Sequence, residues 1–358
     1  MRTHSVRAIA LGAAVLTLSA CAHRLHVKDL DPNEIETTLF LIGDAGEPDP
    51  RNPTLVLDSL RRMASEAPGR TVIAFLGDNV YPNGTPVDSA LTWPDARRRL
   101  AAQVNAVPPG ARGIFVPGNH DWQEAGAYGL YAVRLQERMI ANLAAGRDIR
   151  MLPGNGCPGP TAFDAGRLRF IALDTQWWLH SYIVRDENSK CFTTEKEVTA
   201  NLRDLVKSTP DGRVTIVAGH HPMMTGGPHG SYCGITGPWR RLGGSPQDIM
   251  NGANKVLRDS LEAALKAKPP LMYAAGHDHN LQVMKGTPVA QYFVVSGAGS
   301  PDKVECAVYL RESYYVSQHR TGFMRVDILK NKGVLLSVFD YSSNGVPGAS
   351  FSRWLEVR

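Results

Sequence analysis

Five apolar runs between residues 39 and 279 each stop at small residues followed by Asp, Asn or His. They are LFLIGDAG (39–46), IAFLGDNVY (73–81), IFVPGNHD (114–121), TIVAGHHP (215–222) and LMYAAGHDH (271–279). A short apolar run that ends at glycine reads as a buried strand closed by a tight turn. In open α/β sheets the carboxyl ends of neighbouring strands meet in one crevice. Here that crevice would collect carboxylates, an amide and imidazoles, which is metal-ligand chemistry. Each run has a plainer reading when taken singly, because a strand-end Asp such as Asp44 often only caps a helix. Five such ends in one order, with no competing charge run, favour a metal site.

Apolar residues make up 43% of the 358 residues and charged residues 20%, enough for a large core and without the signature of disorder. The formal charge of +5 is modest, and no Lys/Arg block interleaves with aromatics, so no nucleic-acid partner is expected. The densest basic cluster, Arg97 to Arg99, reads as a solvated helix face. Arg2 and Arg7 precede an apolar stretch, residues 8–20, that is too short to span a bilayer. It ends in Leu18-Ser19-Ala20-Cys21, which resembles the lipobox of bacterial lipoproteins. That resemblance implies removal of residues 1–20 and lipidation of Cys21. It places the chain in the bacterial cell envelope, with Ala22 favouring an outer-membrane anchor facing the periplasm or cell surface. An ordinary secretory signal cut near a cysteine is the alternative.

Loss of residues 1–20 removes two Arg and no acid, leaving +5 − 2 = +3. Cys157, Cys191, Cys233 and Cys306 remain, and an even number in an exported chain suggests two disulfides. Three pairings are open, of which Cys157–Cys191 with Cys233–Cys306 is favoured. A cysteine-ligated zinc is not expected without a C-x-x-C spacing. Residues 21–35 read as a polar tether and 36–358 as one domain. Strands alternate with helical stretches near 55–63, 96–107, 128–143, 195–207 and 253–267, and a further strand over 168–173 leads into Asp174. Short strand-like runs follow His279, with a hairpin turn at 330–333. Segments 154–160 and 226–246 are rich in Gly and Pro, and loops this long in a compact domain are usually functional or disordered.

The order and content of the five strand ends resemble the calcineurin-like metallophosphoesterases. More closely they resemble the purple acid phosphatases, whose pattern is GDxG, GDxxY, GNH(D/E), VxxH and GHxH. This chain has Gly43-Asp44-Ala45-Gly46, Gly77-Asp78-Asn79-Val80-Tyr81, Gly118-Asn119-His120-Asp121, Val217-Ala218-Gly219-His220 and Gly276-His277-Asp278-His279. Tyr81 is the discriminating residue, because the generic superfamily pattern does not require it. HDHNLQ (277–282) and SGAG (296–299) look like the small, tartrate-resistant type. His229, nine residues after His220, falls where that type carries a second catalytic His. His221 departs from it, standing where an aromatic is common, and residues past 300 carry no matching motif.

The resemblance implies a four-layer α-β-β-α sandwich, two packed mixed sheets flanked by helices. It places Asp44, Asp78, Tyr81 and His279 on an Fe³⁺, and Asp78, Asn119, His220 and His277 on Zn²⁺, Fe²⁺ or Mn²⁺, with Asp78 bridging. Phenolate and carboxylate suit a trivalent ion, imidazole and amide a divalent one. The implied reaction is hydrolysis of a small phosphomonoester by in-line attack of a metal-bridging hydroxide, without a phosphoenzyme. His120 and His229 would donate protons or hydrogen bonds, and Asp121 would orient His120. His221 would either support the ligands or line the substrate cleft. His180 and His319 default to structural or surface roles. The alternatives are a phosphodiesterase or nucleotidase with the same site, and a surface lipoprotein that only binds.

Overall fold

The computed structural model describes residues 30–47, 55–87, 93–180, 191, 194–341 and 348–357. The leader, Cys21 and most of the tether lie outside the described residues. The first half carries β1 (Ile35–Ile42), α1 (Leu55–Ala64), β2 (Thr71–Leu76), α2 (Trp93–Ala106), β3 (Arg112–Val116), α3 (Gly129–Ala144) and β4 (Ile149–Met151). Next come β5 (Thr161–Ala165), β6 (Leu168–Ala172), α4 (Gln176–Leu179), α5 (Glu195–Lys207) and β7 (Val214–Ala218). After them stand α6 (Gly237–Arg241), α7 (Gly252–Leu265) and β8 (Met272–Ala275). The chain finishes with β9 (Leu281–Thr287), β10 (Ala290–Ser296), β11 (Ser313–Ser317), β12 (Thr321–Leu329), β13 (Val334–Tyr341) and β14 (Gly348–Leu355).

One sheet has the order β14-β13-β12-β1-β2-β3-β4 and the other β11-β9-β10-β8-β7-β6-β5. Strands β1 to β4 are mutually parallel, as are β6, β7, β8 and β10, while β12 to β14 on one side of the first sheet, and β9, β11 and the opposite edge strand β5 of the second, pair antiparallel. Both sheets are therefore mixed. Alternation along each strand divides its side chains between two cores. From β1, Leu39 and Leu41 join Val72, Ala74, Phe170, Ile216 and Val294 between the sheets. Phe40 and Ile42 turn outward onto Leu57 and Leu60 of α1 and Leu100 of α2. On the far side, Ile171, Val217 and Tyr273 pack under Leu202 of α5 and Leu261 of α7. The result is the expected α-β-β-α sandwich.

Both expected disulfides, Cys157–Cys191 and Cys233–Cys306, are formed. The hairpin at 330–333 joins β12 to β13, closed by Leu329 N–H donating to Gly333 O at 2.9 Å. Four strands were not legible in the sequence: β4, β5, β11 and β14. They are short or half-exposed edge strands, and β14 buries only Leu355 fully, so they lack the apolar alternation that marks a strand.

Candidate metal centre

The carboxyl ends of β1, β2 and β3 in one sheet and of β7 and β8 in the other lie at one edge of the sandwich. Hydrogen bonds tie the sheets there. Gly43 N–H donates to Ser296 O at 2.6 Å, and His220 Nδ1–H donates to Leu76 O at 2.8 Å. The turns after β1, β2 and β8 throw their polar residue inward at a backbone cost. Asp44, Asp78 and His277 have φ of 58°, 55° and 72°, a left-handed conformation unusual for residues with a side chain. Such strain, of order 1–3 kcal/mol per residue, gathers at functional sites. The glycine before Asn119 is dictated by space, since a Cβ at Gly118 would lie 2.2 Å from Asp78 Oδ1.

Seven expected ligands converge into two groups that share Asp78. In the first, Tyr81 OH donates to Asp44 Oδ1 at 3.0 Å and Asp78 Oδ2 at 3.1 Å, with His279 Nε2 3.0 Å away. In the second, Asn119 Oδ1 lies 2.9 Å from His220 Nε2 and 3.1 Å from His277 Nδ1. Asp78 Oδ2 lies 3.4 Å from His220 Nε2. These separations suit ions, because ligands bonded at about 2.0–2.2 Å in adjacent positions sit roughly 3 Å from one another. The three histidines are also aimed for coordination. Each donates its other ring nitrogen to a backbone carbonyl: His220 to Leu76 (2.8 Å), His277 to Gln247 (3.2 Å) and His279 to Lys303 (3.0 Å). A metal-binding histidine commonly has such a support, which fixes the ring and its tautomer.

Electrostatics point the same way. Burial alone would raise Asp78, but the charges of His220 and His120 outweigh it and hold the carboxyl well below its usual range. Burial lowers His220, yet Asp78 beside it drives the imidazole up to about 9. His279 likewise overcomes burial through Asp44 and reaches about 9. Burial, with the charges of Asp44 and Asp78, pushes the Tyr81 phenol far above its ordinary value. Burial and then the neighbouring histidines press His277 well below its own. Without metal, protonated His220 and His279 offset the neighbouring carboxylates and the Tyr81 phenol stays neutral. With metal, the cations take that role. The donor set therefore fits two metal ions.

The second histidines occupy distinct positions. His120 N–H donates to Asp78 Oδ1 at 3.0 Å and its Nδ1–H to Pro82 O at 2.5 Å, leaving Nε2 facing inward, 3.9 Å from Asp78 Oδ2. The Asp121 assignment is corrected. Its carboxylate accepts from Gly118 N–H (2.9 Å), Asn79 N–H (3.0 Å), Val80 N–H (3.2 Å) and Asn79 Nδ2 (2.9 Å). It thus fastens the β2 and β3 turns together, while Pro82 orients His120, with Glu124 Oε1 3.5 Å from the ring. Burial, and then the charge of Asp78, push Asp121 up to about 6. His221 is buried behind the ligands and does not line an open cleft. Its Nδ1 bonds Thr175 Oγ1 at 2.8 Å, its Nε2 bonds Gln247 Oε1 at 2.6 Å, and its ring lies 4.5 Å from that of His277. His229 packs against His277 with centroids 3.9 Å apart and the rings tilted by 36°, its backbone N–H donating to Asp278 Oδ1 at 3.0 Å. His180 packs on Trp122, a structural role as expected.

Several site residues had no signal in the sequence. Arg240 comes from the Gly- and Pro-rich segment, Gln247 and Asp248 from the residues just after it, and Thr175 from the turn after β6. Asp174 carried the same strand-end signal as Asp44, yet it caps, accepting from Trp122 Nε1 at 2.7 Å and Trp177 N–H at 3.3 Å. Burial pushes it up to about 7.

A four-layer sandwich with two donor groups at one edge, joined through one carboxylate, defines a metallophosphoesterase scaffold. The profile of the calcineurin-like phosphoesterase family matches residues 37–281, well over half of the chain. The chain belongs to that family. No curated protein matches it in sequence. Among solved structures it resembles GAP50, the anchor in the inner membrane complex of Plasmodium, at 16% identity and a TM-score of 0.56 over 90% of both chains. It also resembles the purple acid phosphatase PPD1 from yellow lupin (Lupinus luteus) seeds, at 16% identity and a TM-score of 0.55. That alignment covers 88% of this chain and 53% of the lupin chain. At such identities the likeness is one of fold.

Proposed function

We propose that the protein hydrolyses phosphomonoesters at a dinuclear centre pairing Fe³⁺ with Zn²⁺, Fe²⁺ or Mn²⁺. The observation that carries this reading is the buried Tyr81 hydroxyl. It lies about 3 Å from donor atoms of Asp44, Asp78 and His279, so one group holds a phenolate precursor and two carboxylates. Such hard anionic oxygens favour a trivalent ion, while His220, His277 and Asn119 favour a divalent one. A bound metal pair supplies Lewis acidity to the phosphoryl oxygens and a water acidic enough to attack near neutral pH.

The chain's own residues do the rest. Asp78 reaches both donor groups and holds them in register. His120, fixed through Nδ1, presents Nε2 where a phosphoryl or leaving oxygen would sit, and His229 flanks the other side against His277. A positioned proton donor of this kind contributes roughly 10²–10⁴ in rate. No Ser or Cys stands among the converging donors, which favours direct attack by water over a phosphoenzyme. The scaffold also serves as an anchor in the Plasmodium neighbour, but the full donor set favours catalysis here. Export, lipidation at Cys21 and action in the cell envelope complete the proposal.

The test is hydrolysis of p-nitrophenyl phosphate against bis(p-nitrophenyl) phosphate by the iron- and zinc-loaded protein. The monoester should be cleaved faster. Cleavage of the diester alone would replace this reading with the phosphodiesterase one.

A further inference from the structure

The stretch between β7 and α7 carries a buried charge cluster that the metal centre itself does not need. Asp248 is fully buried, and both of its oxygens are engaged. Oδ1 lies 2.9 Å from His229 Nδ1 and accepts from Arg240 Nη1 at 2.6 Å, while Oδ2 accepts from Ser245 N–H at 2.9 Å. Arg240 also lies along the His229 ring edge, its Nη1 2.6 Å from Nδ1 and 3.2 Å from Nε2. A buried carboxylate that accepts from one imidazole nitrogen sets the tautomer and the ring plane, leaving the other nitrogen to act. The neighbouring Gln247 accepts from His277 Nε2–H through its carbonyl (3.2 Å) and bonds His221 Nε2 through its amide oxygen (2.6 Å). Residues 247 and 248 thus touch three histidines on one side of the centre.

We infer that Asp248, backed by Arg240, is a positioning residue that holds His229 with Nε2 directed at the leaving oxygen of the substrate. This deepens the proposed phosphomonoesterase reading and rests on it. His120 is placed by a backbone carbonyl, and no side-chain change can remove that acceptor. His229 is placed by a carboxylate that one substitution does remove. The contribution of Asp248 passes through His229, so it is largest where the departing oxygen most needs a proton. An alkyl phosphate leaves as a strongly basic alkoxide, whereas p-nitrophenolate is stable as the anion.

The experiment compares Asp248→Asn with the wild type on an alkyl phosphate and on p-nitrophenyl phosphate, at equal metal content. The variant should lose roughly tenfold to a hundredfold in kcat on the alkyl ester. It should lose at most a few-fold on the aryl ester. Adding Asp248→Asn to His229→Ala should cost nothing further, as expected of two residues that act as one unit. Equal losses on both esters, or additive losses in the double variant, would overturn the inference. Arg240→Met, which keeps the carboxylate, should shift the ratio the same way by a smaller factor and covers the case of a variant that does not fold. A readout apart from activity is the ¹⁵N spectrum of His229 in chelator-treated protein. The proton should reside on Nδ1 in the wild type and lose that preference in Asp248→Asn. If the wild type cleaves neither ester, the phosphomonoesterase reading fails, while the spectrum still decides whether Asp248 holds the ring.

Discussion

Asp78→Asn is the sharpest perturbation of the centre, because it changes one buried oxygen to an amide nitrogen at nearly constant shape. In the metal-free protein Asp78 is the charge that lifts His220 from 6.5 to about 9, against burial. That rise corresponds to roughly 3 kcal/mol of preference for the imidazolium in the folded state. A folded-state value above the unfolded one means that the stability is fully present below pH 6.5 and is lost as the pH rises through 9. His279 behaves likewise through Asp44, at about 9, and should survive the change. Urea denaturation of chelator-treated protein, with disulfides intact, at pH 6 to 10 measures this directly. The wild type should weaken over pH 6.5–9. Asp78→Asn should be less stable at pH 7 by roughly 3 kcal/mol and follow a shallower pH dependence. Its metal content, measured by plasma emission, should fall below two per chain. Equal stability at pH 7 with an unchanged slope would refute the claim that the Asp78–His220 pair holds the metal-free centre together.

Three further outcomes follow from the same geometry. Gly118→Ala sets a Cβ 2.2 Å from Asp78 Oδ1, so it should displace the shared carboxylate and lower both metal content and activity, by roughly 10² or more in kcat/KM; unchanged metal content would contradict the packing. Loading the metal-free protein at pH 7 should release protons from His220, His279 and Tyr81, read by calorimetry in buffers of differing ionisation enthalpy, and apparent metal affinity should weaken as pH falls below 9. Asp174, raised by burial from 3.8 to about 7, should remove stability as pH rises through that window, up to roughly 4 kcal/mol. Asp174→Asn in metal-free protein should therefore be the more stable chain at pH 8 and lose this advantage near pH 4.

The centre was largely legible in the sequence because its chemistry sits within a few residues of strand ends. Asp44, Asp78, Asn119, His220 and His277 each follow a glycine that closes an apolar run, and Tyr81 and His279 lie three and two residues beyond such positions. Strand direction then does the gathering. Asp174 shows the limit, for the same local signal ends in a cap once Trp122 and Trp177 supply the donors. Sequence adjacency suggests Asp121 as a partner of His120, but a carboxylate faced with three backbone amides and the Asn79 side-chain amide satisfies those first. Asp248, Gln247 and Arg240 carry no such signal, since the histidines they meet lie 11 to 30 residues away along an irregular path. Strands β5 and β14 were missed because half-exposed edges carry little apolar pattern.

Whether Tyr81 supplies a phenolate to a ferric ion in a two-metal phosphatase is decided by visible absorption of the iron-loaded protein. The account predicts a coloured protein with a phenolate-to-iron band, lost in Tyr81→Phe at retained Asp44, Asp78 and His279, before all hydrolysis is lost. A colourless iron-loaded wild type, or a band that persists in Tyr81→Phe, would contradict it.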